Sequence, residues 1–214
     1  MNFRHSAFGD RAARCRFVGR LRDNGLQVNL AGAYDYLEAA YYVTQELQAA
    51  GNDIIPTCRQ MLDAYIPPVC LQKASLAGLS VPSWYISNGY FEPPVVIDPI
   101  NPFMFRSRTV WKRGREHAIA KSMTRNFTYA ICCQELPEGC RIRKFRAVLG
   151  QTTSKLFAGS AQAVWEVFGI PLATVRVIET SERRHLVSDI SPLPFGSLGA
   201  REIAWVERAV SWVD

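Results

Sequence analysis

The chain has 214 residues, 48% hydrophobic and 21% charged, which allows one large domain or two small ones and excludes a miniprotein or a mostly disordered chain. No apolar run reaches the roughly 18–20 residues of a membrane span, and the arginine-rich start has no signal-like apolar stretch, so a soluble, cytoplasmic protein without a membrane partner is expected. The net charge of +6 is unevenly placed, with +4 in residues 1–23 and +8 in residues 106–146, and so dense a basic middle predicts an anionic partner.

In chain order, residues 1–23 carry charge without a sustained apolar period and read as a basic N-terminal tail. LQVNL (26–30) reads as a strand, and residues 34–50 then switch to helical spacing through Tyr34, Leu37, Tyr41, Thr44 and Leu47 up to Gly51. DIIPT (53–57) supplies a second strand, predicting a βαβ unit with parallel strands and a right-handed crossover. A helix over 58–65 follows and stops at Pro67 and Pro68.

From Val81 the texture is that of strands, and the prolines of 92–103 mark an irregular connection and a lobe boundary. FTYAICC (127–133) and IRKFRAVLG (142–150) read as an antiparallel pair joined through PEGC. Alternation on the second strand turns Phe145, Ala147 and Leu149 inward and Lys144 and Arg146 outward, with Arg125 expected beside them on the neighbouring strand. Residues 160–168 read as a helix capped by Ser160 and ended by Gly169, LATVRVIE and HLVSDI as a further hairpin, and the chain as closing on a helix capped by Ser197 that includes Val210 and Val213. The fold class is α+β: a βαβα opening, then a strand-rich mixed sheet with flanking helices, as a single domain over 24–214.

Motifs that carry chemistry are sparse. The six cysteines contain no C-x-x-C, and without a signal they are expected as reduced, mostly buried thiols. Adjacent Cys132 and Cys133 would point to opposite faces of a strand and could not share a metal without a bulge; a zinc site with Cys140 and His117 is conceivable, but no metal site is assigned. A thiol nucleophile at Cys133 or Cys140 would need a histidine beside it, which sequence cannot place. VLGQTTSKLF (148–157) runs from a strand through a polar turn, so Gly150, the backbone of Thr153 and Ser154, and Lys155 form a candidate anion site, although the glycine that a Walker loop needs before its lysine is Ser154.

YLEAAYYVTQELQAAGNDIIPT (36–57), TRNFTYAICCQELPEGCRIRKFRAVLGQT (124–152) and AQAVWEVFGIPLATVRVIE (161–179) together resemble the RimK-like ATP-grasp N-terminal domain family over roughly residues 26–210. The resemblance implies an α+β domain that precedes an ATP-grasp ligase joining amino acids or peptides through acyl phosphates. With no Asn-x-Asn in the chain, it implies a non-catalytic recognition or docking domain. ATP and magnesium would then sit on a separate ATP-grasp ligase partner, with no cofactor on this chain. An acidic peptide or amino-acid substrate would be held by Arg125, Lys144 and Arg146. The alternative is a nucleic-acid-binding module that uses the basic region of residues 106–146 with its aromatic neighbours, IRKFR and WYISNGYF sharing one sheet face.

Overall fold

The structure, a computed structural model, describes residues 17–101, 104 and 106–212. In order, it runs β1 (Val18–Leu21), β2 (Gln27–Asn29), α1 (Ala39–Ala49), β3 (Ile54–Ile55), α2 (Cys58–Tyr65), α3 (Pro67–Leu76), β4 (Trp84–Ser87), β5 (Val95–Pro99), β6 (Arg108–Val110), α4 (Glu116–Met123) and β7 (Ile131–Glu135). It continues through β8 (Arg141–Val148), α5 (Ala158–Phe168), β9 (Leu172–Glu179), β10 (His185–Pro192), α6 (Ala200–Ala209) and β11 (Val210–Trp212). The described strands form three sheets, ordered β11-β1-β2-β3, β4-β7-β5-β6 and β10-β9-β8. The fold is mixed α+β.

The chain divides into two compact units, one built from the residues up to Leu62, Arg146–Thr174 and Pro192 onward, the other from Asp63–Phe145 and Val175–Ser191. In the first, the βαβ unit is present: β2 and β3 are parallel, with Gln27 opposite Ile54, and α1 lies between them in sequence. Its first turn begins at Ala39, later than the spacing suggests, because Asn29 and Tyr34 spend residues 29–34 on a buried knot. There the Tyr34 hydroxyl donates to Asn29 O at 2.7 Å and Asn29 Nδ2 donates to Thr44 Oγ1 at 3.1 Å. Val28, Leu30, Val148, Leu172, Val206 and Val210 form the main apolar core of this unit.

Three expectations change here. Val18–Leu21 lies inside the stretch read as a tail, yet it is β1, the strand between β11 and β2, with Val18 and Leu21 buried. The rest of the predicted tail, residues 1–16, lies outside the described residues. The last helix ends at Ala209, and Val210–Trp212 extends to pair with β1, Leu21 opposite Val210, so apolar residues at helical spacing there serve a strand instead. Its cap is Gly199 rather than Ser197, the Gly199 N–H donating to Glu202 Oε2 at 2.8 Å. Likewise α5 starts at Ala158, two residues before the Ser160 proposed as its cap.

In the second unit, β5 is flanked by β6 and β7 and β7 by β4, all antiparallel. Val95, Ile97, Ile131 and Cys133 face a core completed by Phe91, Ala120 and Met123. Alternation turns the opposite face of these strands, with Val96, Asp98, Cys132 and Gln134, the other way. Val96 packs there with Leu136 and Ile178.

The predicted hairpin between FTYAICC and IRKFRAVLG does not form: β7 pairs with β4 and β5, while β8 belongs to the sheet of β9 and β10. Residues Phe127–Tyr129 are consumed by the turn that ends α4. Thr124 Oγ1 donates to Ala120 O and accepts from Phe127 N, both at 2.7 Å, and Arg125, Asn126 and Phe127 all have positive φ. The LATVRVIE strand matches β9 residue for residue, and HLVSDI lies within β10 beside it.

Candidate functional site

The polar interior of the second unit is built on strand alternation. Asp98 on β5 and Gln134 on β7 face the same way, and Arg176 on β9 and Ser188 on β10 meet them there. All four are nearly or completely buried. Arg176 grips Asp98 with both ends of its fork, Nη1 to Oδ1 at 3.0 Å and Nη2 to Oδ2 at 2.6 Å, and donates from Nε to Ser188 Oγ at 2.9 Å. Ser188 Oγ donates to Gln134 Oε1 at 2.8 Å, while Gln134 Nε2 donates to Asp98 Oδ2 at 2.6 Å and to Ser188 O at 2.9 Å. A bidentate, fully bonded pair of this kind is how a guanidinium and a carboxylate survive outside water. Burial depresses the Arg176 pKa, but the carboxylates of Asp98 and Asp189 outweigh it and leave the guanidinium raised.

Asp189 is the next residue on β10 and is only half-buried. It accepts from Ser191 Oγ at 3.0 Å. Burial raises its pKa from the ordinary aspartate value, against the pull of Arg176, and Asp98 raises it further; Ser191 and Lys144 act in the lowering direction. Within the trio Asp98, Arg176 and Asp189, the guanidinium is paired directly with Asp98, while Lys144 acts on Asp189 electrostatically. Sequence reasoning singled out Lys144, assigned Asp189 no role and missed Asp98 and Arg176. The only available signal was a charged residue set in each of two apolar strands, VVIDP and LATVRVIE.

The predicted site residues separate. Lys144 is exposed on β8 while Phe145 and Ala147 are buried, the facing read from alternation. Arg146 instead reaches the buried Glu202 carboxylate at 2.9 Å and Ser197 O. Arg125 sits in the turn after α4 and on no strand, because β8 has β9 rather than β7 as its neighbour. Gly150 is buried at φ +76°, where a Cβ would press into Gln162 and Trp165. Ser154 N lies 3.5 Å from Thr152 Oγ1, and exposed Thr153 and Lys155 flank it in the turn that leads into α5.

Among the described residues, no group of three His, Cys, Asp or Glu side chains is placed to hold a metal, and the five described cysteines are free thiols. Burial pushes the Cys133 thiol up to about 12 and raises Cys70, Cys132 and Cys140 as well. None has the depressed pKa of an activated nucleophile. No helix among the described residues is long and apolar enough to cross a membrane.

No protein-family model matches the chain, and no curated protein sequence does either. Solved structures do. A RimK-domain ATP-grasp protein from Sphaerobacter thermophilus matches with a TM-score of 0.56 at 15% identity, over 78% of this chain and 71% of that one. A D-alanine-D-alanine ligase from Helicobacter pylori matches with a TM-score of 0.57 at 12% identity, over 80% and 67%. The ATP-grasp ligase PsnB, complexed with a phosphomimetic variant of its minimal precursor, Mg and ADP, matches with a TM-score of 0.50 at 16% identity, over 82% and 64%. This chain thus spans slightly under two thirds of PsnB.

These matches overturn the expectation of a non-catalytic docking domain lacking its catalytic half, since they run across most of the length of ATP-grasp ligases instead of stopping at one terminal domain. The aromatic strand β4 and the basic strand β8 lie in different sheets, so WYISNGYF and IRKFR do not share one sheet face. The chain has the fold of the ATP-grasp ligases, RimK-domain proteins among them.

Proposed function

We propose that the protein is an ATP-grasp-type ligase that uses nucleotide and magnesium to join a carboxylate to an amine, with an acidic peptide or amino acid as substrate. The observation that carries this reading is the fold, shared over about four fifths of the chain with ligases, one of them holding Mg and ADP. Asp189 fits the role of magnesium ligand, with Ser191 beside it. Magnesium commonly binds through one or two carboxylates, the remaining ligands coming from phosphates and water. Arg176 pairs directly with Asp98, and exposed Lys144 is placed to meet a phosphate or an acidic substrate group. Nucleotide and magnesium supply the activation of the carboxylate; the chain's own part is to bind and orient through Asp189 and Lys144 while the closed Asp98–Arg176–Gln134–Ser188 network fixes β10.

Calorimetric titration of the full chain with ADP or AMPPNP in the presence of magnesium tests the reading. Saturable binding that requires magnesium and falls about tenfold in Asp189→Asn, the loss of one charged ligand, is expected. A chain that binds no nucleotide at millimolar concentration with magnesium present is not a ligase of this type.

A further inference from the structure

Residues 106–115, RSRTVWKRGR, hold five cations and no acid. They run through β6 towards α4, and all of them except Val110 are exposed. Arg113 meets Glu92, whereas Arg106, Arg108, Lys112 and Arg115 make no ion pair or side-chain hydrogen bond among the described residues. β6 is also an edge strand, with β5 as its one neighbour among the described residues. The ladder fixes where its backbone groups point. Leu136 N donates to Pro94 O at 3.1 Å and Ile100 N to Ala130 O at 3.4 Å, so the even-numbered residues of β5 bond to β7, and Val95 and Ile97 bond to β6. Their partners Val110 and Arg108 therefore direct N–H and C=O at β5, and Thr109 between them turns both groups to the open side. Thr109 is exposed, and neither of its backbone groups has a partner among the described residues. An edge with a vacant ladder position is a template for another strand.

We propose that the open edge of β6 docks an extended acidic peptide segment, which joins the sheet as a fifth strand through the Thr109 N–H and C=O and sets its carboxylates against the unpaired cations. Charge decides which strand fits. Two copies of this chain paired antiparallel about Thr109 would bring Arg106 of each towards Lys112 of the other, and like charges set opposite one another are destabilising. Residues 1–16 of the same chain, with four arginines against Asp10, carry the same sign and are no better a match. An acidic strand reverses the sign. Hydrogen-bonded to Thr109, it has a residue directly opposite Arg108 in the non-hydrogen-bonded position, where the Cα atoms stand about 4.5 Å apart and both side chains leave the same face. A carboxylate at that place meets a guanidinium whose fork bonds both oxygens. A polynucleotide would offer phosphates to the same cations but has no ladder for Thr109. The inference does not rest on the ligase reading, since β6 lies in a different sheet from β8 and β10, which carry Lys144 and Asp189.

The test is calorimetric titration of the full chain, without nucleotide, with three heptapeptides blocked at both ends: ETETETE, QTQTQTQ and EPEPEPE. The first is expected to saturate the chain. QTQTQTQ should bind about tenfold more weakly, several weak exposed pairs being lost together. EPEPEPE keeps every carboxylate but has no N–H in the phase that meets Thr109, and should weaken by a similar factor. In Thr109→Pro, a substitution that an edge strand tolerates where the N–H faces outward, ETETETE should lose its advantage over EPEPEPE. In the double variant Arg108→Gln, Lys112→Gln, most of its advantage over QTQTQTQ should go. Failure of ETETETE to saturate at about 10 mM, or equal binding of the three peptides, would overturn the inference without any variant having to fold. Affinity unchanged in both variants would place the peptide elsewhere and overturn it too, as would tighter binding of a thymidylate heptamer than of ETETETE. The magnesium–nucleotide titration still judges the ligase reading by itself.

Discussion

Arg176 has 3% of its side chain exposed and Asp98 5%, so each holds its charge only because the other is there. Arg176→Met should leave a buried, unpaired carboxylate and cost about 3–5 kcal/mol in urea unfolding, whereas adding Asp98→Leu to it should recover much of that loss, since replacing both charges by apolar groups removes the uncompensated ion. A double variant no more stable than the single one would mean that the Gln134 and Ser188 bonds, not the charge, dominate. Asp189 sets a pH dependence of the opposite kind to that of an ordinary salt-bridged carboxylate. Burial raises its folded pKa, so the native state binds this proton more tightly than the unfolded chain does. Its contribution to stability is therefore present below the unfolded value of about 4 and lost as pH rises through the raised folded value. Melting temperature against pH should fall less steeply over that window in Asp189→Asn than in the wild type; parallel curves would show that Asp189 does not titrate there.

At the scale of elements, the sheet β11-β1-β2-β3 depends on a strand that reads in sequence as charged tail. Deleting residues through Asp23 should remove its second strand and abolish the cooperative melt of the first unit, and a truncated chain with an unchanged melting temperature would show β1 to be dispensable. The close approach at Gly19 makes a finer test: a Cβ there would collide with Val210 of β11. Gly19→Ala should cost about 1–3 kcal/mol in denaturant unfolding, as overpacking does.

The same strands indicate where sequence was informative. β9 and the βαβ opening could be read because an apolar run between breakers, or a clean change of period, is local information. β1 and β11 could not, since VGRL and VSW are too short to carry a period and are strands only because each finds the other. The β7–β8 hairpin was misread for a similar reason: PEGC is a credible turn, but nothing in it reveals that the two strands enter different sheets. The Asp98–Arg176 pair, separated by 78 positions, is equally invisible before the strands are placed.

For the whole molecule, the net charge of +6 hides a basic middle that the remaining residues partly offset. Structure assigns some of that charge internally: Arg143 to Glu179 at 3.3 Å, Arg113 to Glu92, and Arg146 to Glu202. Lys144 remains exposed. If an acidic peptide binds there, raising salt from about 0.1 M to 1 M should weaken it markedly, because screening shortens from about 10 Å to about 3 Å. Affinity that ignores salt would leave this charge a role in solubility alone.

The pairing of β1 with β11 joins residues nearly the whole chain apart, as in the bond from Ser211 Oγ to Arg20 O across 191 positions. During synthesis β1 is among the first described segments to leave the ribosome, yet its outer neighbour is among the last. From the synthesis of β1 to that of β11 the nascent chain must therefore carry an unpaired strand edge, and closing so long a loop is a slow event. An edge exposed for that time is the point at which a growing chain is most open to pairing with another copy, which makes the ribosome-bound intermediate, rather than the finished protein, the state most in need of a chaperone.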